Sequence, residues 1–233
     1  MTDRRSFLGG AVAVIAAGNA APAAAQTPAE RPGTDPALPG DVYASSRNRA
    51  PLITRDMVSG EANLASYDNL VRGGTTAGVQ GPGGISLYSS KLDTVAGALN
   101  QAVRAQNGLE PRLAELAILV SARECDSAFE WNAHERLARE QGLAQDTIDV
   151  VRYRRPVTGL AEAEAAIVTL GREAIGKRKV SPATYAQAQR VFGTERLVNI
   201  CLLMGDYFMN ALLLHVFDQQ LPPGAVPALP GAN

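Results

Sequence analysis

The stretch PRLAELAILVSARECDSAFEWNAHERLAREQG, Pro111 to Gly142, decides the fold. Pro111 suits the first turn of a helix, where its missing N–H is no loss, and Leu113, Leu116, Ala117 and Val120 follow at helical spacing. A second helix carries EWNAHERLAREQ and closes at Gly142, a residue free to adopt the left-handed conformation that ends helices. The first helix holds a carboxylate, Glu115, inside its apolar stripe. The second places Glu130 and His134 four residues apart, on one face. The chain has only two histidines, and His134 is the one set among carboxylates, a candidate for acid/base chemistry.

Helical patterning extends outward from this stretch. It is expected over Glu61 to Arg72, through Leu92, Val95, Ala96 and Leu99, and over Gln145 to Arg152, Glu162 to Ile175, Ser181 to Val191 and Thr194 to Phe217. Ser181-Pro182 and Thr194 are good starts and Gly193 a good stop. No strand-like alternation of comparable length occurs, so the fold class is all-α. Leu197 to Phe217 is apolar all round, but Asn199, Asp206, Asn210 and His215 interrupt it, and an ionisable group at mid-bilayer is costly. The expectation is a central helix buried in a bundle or oligomer, with no membrane span. GGTTAGVQGPGG, from Gly73 to Gly84, lacks the Lys-Ser/Thr ending and the flanking strand of a phosphate-binding loop and reads as a plain loop.

The 233 residues, 46% hydrophobic, can build one well-buried domain. A formal charge of -1 supplies no basic stripe for nucleic acid and leaves a small molecule as the expected substrate. Arg4-Arg5-Ser6-Phe7-Leu8, a short apolar run and Ala23-Ala24-Ala25 read as a twin-arginine export signal at residues 1–25, cleaved after Ala25, with a periplasmic destination. Residues 26–52, rich in Pro, Ala and polar residues, read as an extended linker or arm. The domain is expected over residues 53–224 and a flexible tail over 225–233. Cys125 and Cys201 are either bridged or two separate thiols, and there is no CxxC.

From Gly81 to Gly224 the chain resembles the carboxymuconolactone decarboxylase family, whose fold is shared with the alkyl hydroperoxidase D-like proteins. The resemblance rests on Gly81-Pro82-Gly83-Gly84 with Leu87-Tyr88-Ser89, RLAELAILVSARE (112–124), EWNAHERLAREQGL (130–143), VSPATYAQAQRVFG (180–193) and FDQQLPPG (217–224). It implies an all-helical subunit, assembly into a homo-oligomer and an active site around the E-W-x-x-H helix. The peroxidase-linked branch carries a CxxC there. In the register that matches His134, Ser127 and Glu130 stand in place of its thiols and Glu115 in place of its glutamate, so thiol-based peroxide reduction is not expected.

The residues themselves allow two readings each. Glu130 can orient the His134 imidazole, or serve as the acid of an S-x-x-E capping box begun by Ser127. Glu115, among Leu113, Leu116 and Ile118, must find a partner or hold a proton: it either faces His134 or pairs with Arg112 or Arg123. His134 is either catalytic or a satisfied core histidine. Taken together they suggest cofactor-free, metal-free acid/base chemistry. A small carboxylated lactone can lose CO2 into its own ring carbonyl if the protein stabilises the dienolate and returns a proton. His134 is then the proton donor, Glu130 its orienting carboxylate and Glu115 a second acid. Arg123 and Trp131 are expected to bind the substrate, Arg123 as a fork for its carboxylate. The alternatives are an antioxidant enzyme of the alkyl hydroperoxidase D kind and a non-catalytic envelope oligomer that binds a small ligand.

Overall fold

The α4 helix, Pro111–Glu124, is the axis of the fold. The computed structural model describes residues 30–74 and 78–231, and the proposed export signal lies outside them. Leu116, Ala117, Leu119 and Val120 of α4 have no exposure at all, because neighbours cover the helix on every side. Those neighbours are α5 (Ala128–Glu140), α7 (Glu162–Gly171) and α8 (Pro182–Val216), with α6 (Gln145–Arg152) across one end. The helices α1 (Glu61–Asn69), α2 (Gly81–Ser86) and α3 (Asp93–Ala105) precede this bundle. Among the described residues there is no strand. Truncating a side chain as deep as Leu116 to Ala costs about 2–5 kcal/mol.

Close helix contact explains some of the small residues. A Cβ on Gly171 would lie 2.3 Å from Val120 Cγ1, so α7 approaches α4 only because that position carries no side chain. The α8 helix breaks where Gly193 takes φ 72°, ψ 171°, conformational space that L side chains avoid. The expected stop is therefore real, although the helix resumes at once. Ser181 caps the first half, its Oγ accepting from the Thr184 N–H.

Several expectations change. The end of the stretch read as a plain loop, from Gly81 on, belongs to a short helix, Gly81–Ser86, with Pro82 in its first turn. Leu92, Val95 and Leu99 do lie at helical spacing, but they are exposed. The second half of α8 buries Leu197, Ile200, Leu203, Met204, Tyr207, Ala211 and Leu214 and leaves Val198, Leu202, Phe208, Leu212 and Val216 exposed. By length and composition α8 could cross a membrane, yet 44% of its apolar window is buried within the chain.

The segment before α1 has little helix but is docked. Val42 and Ile53 are buried, the Arg49 N–H donates to the Phe217 carbonyl, and the Gln220 N–H donates to the Arg47 carbonyl. Gln219 joins three segments: its Nε2 donates to the carbonyls of Ser46 and Arg47, while its Oε1 accepts from Asn48 Nδ2 and the Gly81 N–H. The C-terminal stretch is also held, with Leu229 buried and Asn132 bonded to the backbone of Val226 and Ala228.

Candidate active site

A tight corner between α4 and α5 sets the geometry. Asp126 has φ 53°, the Ser127 N–H donates to the Ala122 carbonyl, and Arg123 forms an ion pair with Asp126 while its Nε donates to the Arg152 carbonyl. The corner turns α5 back along α4, so that His134 comes beside Glu115. His134 Nδ1 lies 2.8 Å from Glu115 Oε2, the geometry of a hydrogen bond between ring and carboxyl. On the other side of the ring, Nε2 lies 3.6 Å from Glu130 Oε2. Glu115, Glu130 and His134 are 7%, 4% and 6% exposed. The three titratable groups expected to meet do so, inside the protein.

The capping-box alternative for Glu130 fails. Ser127 is the N-cap residue of α5 but makes no side-chain cap bond, and Glu130 Oε1 is buried with no hydrogen-bond partner. Burial pushes the Glu130 carboxyl above its ordinary range. His134 and Arg104 oppose that shift and Asp206 adds to it.

The partners expected for Glu115 also change. Arg112 pairs with Glu110 and Glu164, and Arg123 is spent at the corner. The guanidinium that reaches Glu115 belongs to Arg104 of α3, 3.6 Å from Oε1, with a side chain 43% exposed. Arg123 therefore does not enter the site. Nor does Trp131, whose ring is fully buried on another face of α5; its Nε1–H donates to Glu135 Oε2 at 2.7 Å. Arg152 lies 5.6 Å over that ring, and Glu135 pairs with both Arg139 and Arg152. Glu135 and Trp131 thereby clamp α5 to α6.

Four further residues complete the site. Tyr207 of α8 is buried and meets the His134 ring edge-on at 4.9 Å, and burial drives its phenol upward, with Arg104 opposing the shift. Asp206, its neighbour, is 3% exposed and accepts from Asn100 Nδ2 at 2.7 Å. Burial raises the Asp206 carboxyl as well, against the pull of Asn100 and Arg104. Sequence reasoning missed Asn100, Arg104 and Tyr207 as site residues and noted Asp206 only as a break in an apolar run. Among the described residues, no three His, Cys, Asp or Glu side chains group as a metal-ion site.

The thiols lie elsewhere. Cys125 and Cys201 are both free, one half-buried and the other exposed. Burial pushes the Cys125 thiol up to about 11, and nearby Glu124, Asp126 and Glu130 add to the shift.

An all-helical protein with a buried Glu–His–Glu cluster is the class that the fold and the geometry define. Residues 92–170, which hold Glu115, Glu130 and His134, match the Carboxymuconolactone decarboxylase family. No curated protein matches the chain. Among solved structures, a similar one is a protein of unknown function from Agrobacterium tumefaciens, provisionally described as the antioxidant defence protein AhpD. It is 21% identical, with a TM-score of 0.53, over 57% of this chain and 92% of that one. The protein has the alkyl hydroperoxidase D-like helical fold.

Proposed function

We propose that the protein is a cofactor-free acid/base enzyme of the carboxymuconolactone decarboxylase kind, acting on a small carboxylated lactone or related ring compound. The observation that carries this reading is His134 held between Glu115 and Glu130 inside the protein. The roles of the two carboxylates are exchanged relative to the expectation from sequence. Glu115 orients the imidazole through Nδ1, which leaves Nε2 as the atom that delivers a proton, and Glu130 is the second acid. Arg104 takes the part first given to Arg123: a half-exposed guanidinium at the edge of the site can leave Glu115 for a substrate carboxylate. Buried N–H and O–H donors near a developing dienolate oxygen act in a low-dielectric setting, where they are worth more than in water.

The thiols weigh against an antioxidant role. A half-buried thiol held up near 11 is almost wholly protonated at neutral pH, and the thiolate is the nucleophile. The deciding experiment offers a panel of lactone acids to the protein and follows CO2 release by mass spectrometry. Release that depends on His134 supports the reading. A protein that turns over no lactone acid but is purified with a retained small molecule would be a binding oligomer instead.

Assembly with a second copy of the chain belongs to the same proposal. Val198, Leu202, Phe208, Leu212 and Val216 make a stripe along α8 about 27 Å long at 1.5 Å per residue. No charged side chain interrupts that stripe, and α3 exposes Leu92, Val95 and Leu99. A length of apolar helix like this is the substance of homo-oligomer interfaces. The compartment proposed is the periplasm, reached through the twin-arginine signal. Fractionation of cells making the Arg4→Lys, Arg5→Lys variant tests it, with cytoplasmic retention the expected result.

A further inference from the structure

Two carboxyl oxygens in the site lack any partner. Glu130 Oε1 and Asp206 Oδ1 are both buried without a hydrogen bond, in residues more than nine-tenths buried. Asp206 is a positioned side chain: α8 carries it one residue before Tyr207, whose ring packs on His134, and Asn100 reaches from α3 to hold its other oxygen. Two bare, buried carboxylates would be costly. One proton removes a charge and turns an orphaned acceptor into a donor.

The surrounding charges do not neutralise the pair. Arg104 comes from α3 and is engaged with Glu115 of α4. From α5 come Glu130 itself and His134, whose Nδ1 is also committed to Glu115. From α8 comes Tyr207, which brings no positive charge. The one guanidinium at the pair is thus already engaged by a third carboxylate, and His134 meets Glu130 only through Nε2 at 3.6 Å.

We propose that Asp206 is a further acid of this site, and that Asp206 and Glu130 hold one proton between them as a reserve for His134. The upward displacement of both carboxyls by burial, and the push of Asp206 on Glu130, agree with it. The inference rests on the acid/base reading of the site but not on its substrate. In the decarboxylation proposed above, CO2 leaves and its bonding pair stays on the ring as the dienolate. His134 Nε2–H protonates the carbon, and Glu130 passes the reserve proton to Nε2. Water then returns a proton to the pair. One carboxylate and one proton become one CO2 and one C–H bond, with no oxidant or reductant. Asp206 acts through Glu130 and is a positioning residue.

The test is a carbon-13 carboxyl titration by NMR on the full, ligand-free chain labelled in Asp and Glu, and no turnover is needed. A shared proton makes the Glu130 and Asp206 resonances titrate together, in two steps. In Asp206→Asn, which keeps an oxygen for Asn100, Glu130 should collapse to a single step about 1 pH unit or more lower. Independent single-step curves, or a Glu130 curve unmoved in Asp206→Asn, would overturn the proposal. Should that variant lose its helical circular dichroism, the Asp206 curve in Glu130→Gln decides the same question with the same two outcomes. Failure to release CO2 from any lactone acid would sink the decarboxylase reading and leave this result standing.

Discussion

Glu115 of α4 holds Nδ1 of His134 of α5 across 2.8 Å, so that the direction of the ring is set from one helix while the ring is carried by the next. Such second contacts decide which nitrogen is free for chemistry. On this arrangement, His134→Ala should lower kcat/KM for a lactone acid substrate by about 10²- to 10⁴-fold, the usual worth of a positioned acid/base group. Glu115→Gln should lower kcat more than it raises KM, because it disturbs orientation and charge rather than binding. Steady-state kinetics on folded variants check both, and unchanged turnover in His134→Ala would reject the assignment.

Arg104 should behave in the opposite way. If it receives the substrate carboxylate, Arg104→Gln raises KM strongly with a smaller loss in kcat, and Arg104→Lys recovers only part of the binding, since a point charge lacks the two-pronged fork. Arg123→Gln should leave KM for folded protein unchanged. Its buried corner with Asp126 and the Arg152 carbonyl makes loss of stability the expected effect instead.

Stability should depend on pH through the site. Glu130 and Asp206 both lie above their ordinary values in the folded chain, so between those values and the raised midpoints the native state binds more protons than the unfolded one. Their contribution is fully present below the ordinary carboxylate range and is lost as pH rises through the folded midpoints. Each pH unit of upward shift corresponds to about 1.4 kcal/mol. Urea midpoints measured as a function of pH should therefore show Glu130→Gln gaining on the unaltered protein as pH rises. A difference between the two that ignores pH would show that Glu130 is not held above its ordinary range.

Gly193→Ala should destabilise the protein by about 1–3 kcal/mol, the cost of forcing an L side chain into sparsely populated backbone space. No heavy atom outside the local backbone lies within 4 Å of the Cβ it would add, so the loss comes from backbone strain alone. Chemical denaturation measures it. A neutral result would mean that α8 can straighten through this point.

Leu202→Glu and Phe208→Glu place charges on the exposed apolar side of α8. Each should reduce the assembled species seen by sedimentation velocity without unfolding the protomer. Sedimentation as a monomer by the unaltered protein would remove the homo-oligomer proposal.

Local signals in the sequence were enough for most helix ends. Pro111, Gly142, Ser181 and Gly193 act through their own backbone preferences, and each lies where those preferences placed it. The pairing of Glu115 with His134 was legible because both lie on adjacent helices joined by a short corner. Asp206 and Tyr207 were not, since nothing local says that a residue more than seventy positions downstream of His134 will pack against it. A signal did exist: a carboxylate within the apolar run from Leu197 to Phe217 has to be satisfied somewhere. Arg123 and Trp131 were misplaced for the converse reason. Both lie within or next to the motif, but a helix turns 100° per residue, and each points into a different set of partners from those of Glu130 and His134.

Gln219 also bears on how the chain is made. Its amide bonds Ser46, Arg47, Asn48 and Gly81, so the seam between the early and late parts of the polypeptide can close only after residue 219 has emerged from the ribosome. Any folding achieved during synthesis stays provisional until then. A fragment trimmed to residues 92–170 would keep the Glu–His–Glu cluster but lose this latch and the helix that roofs the imidazole.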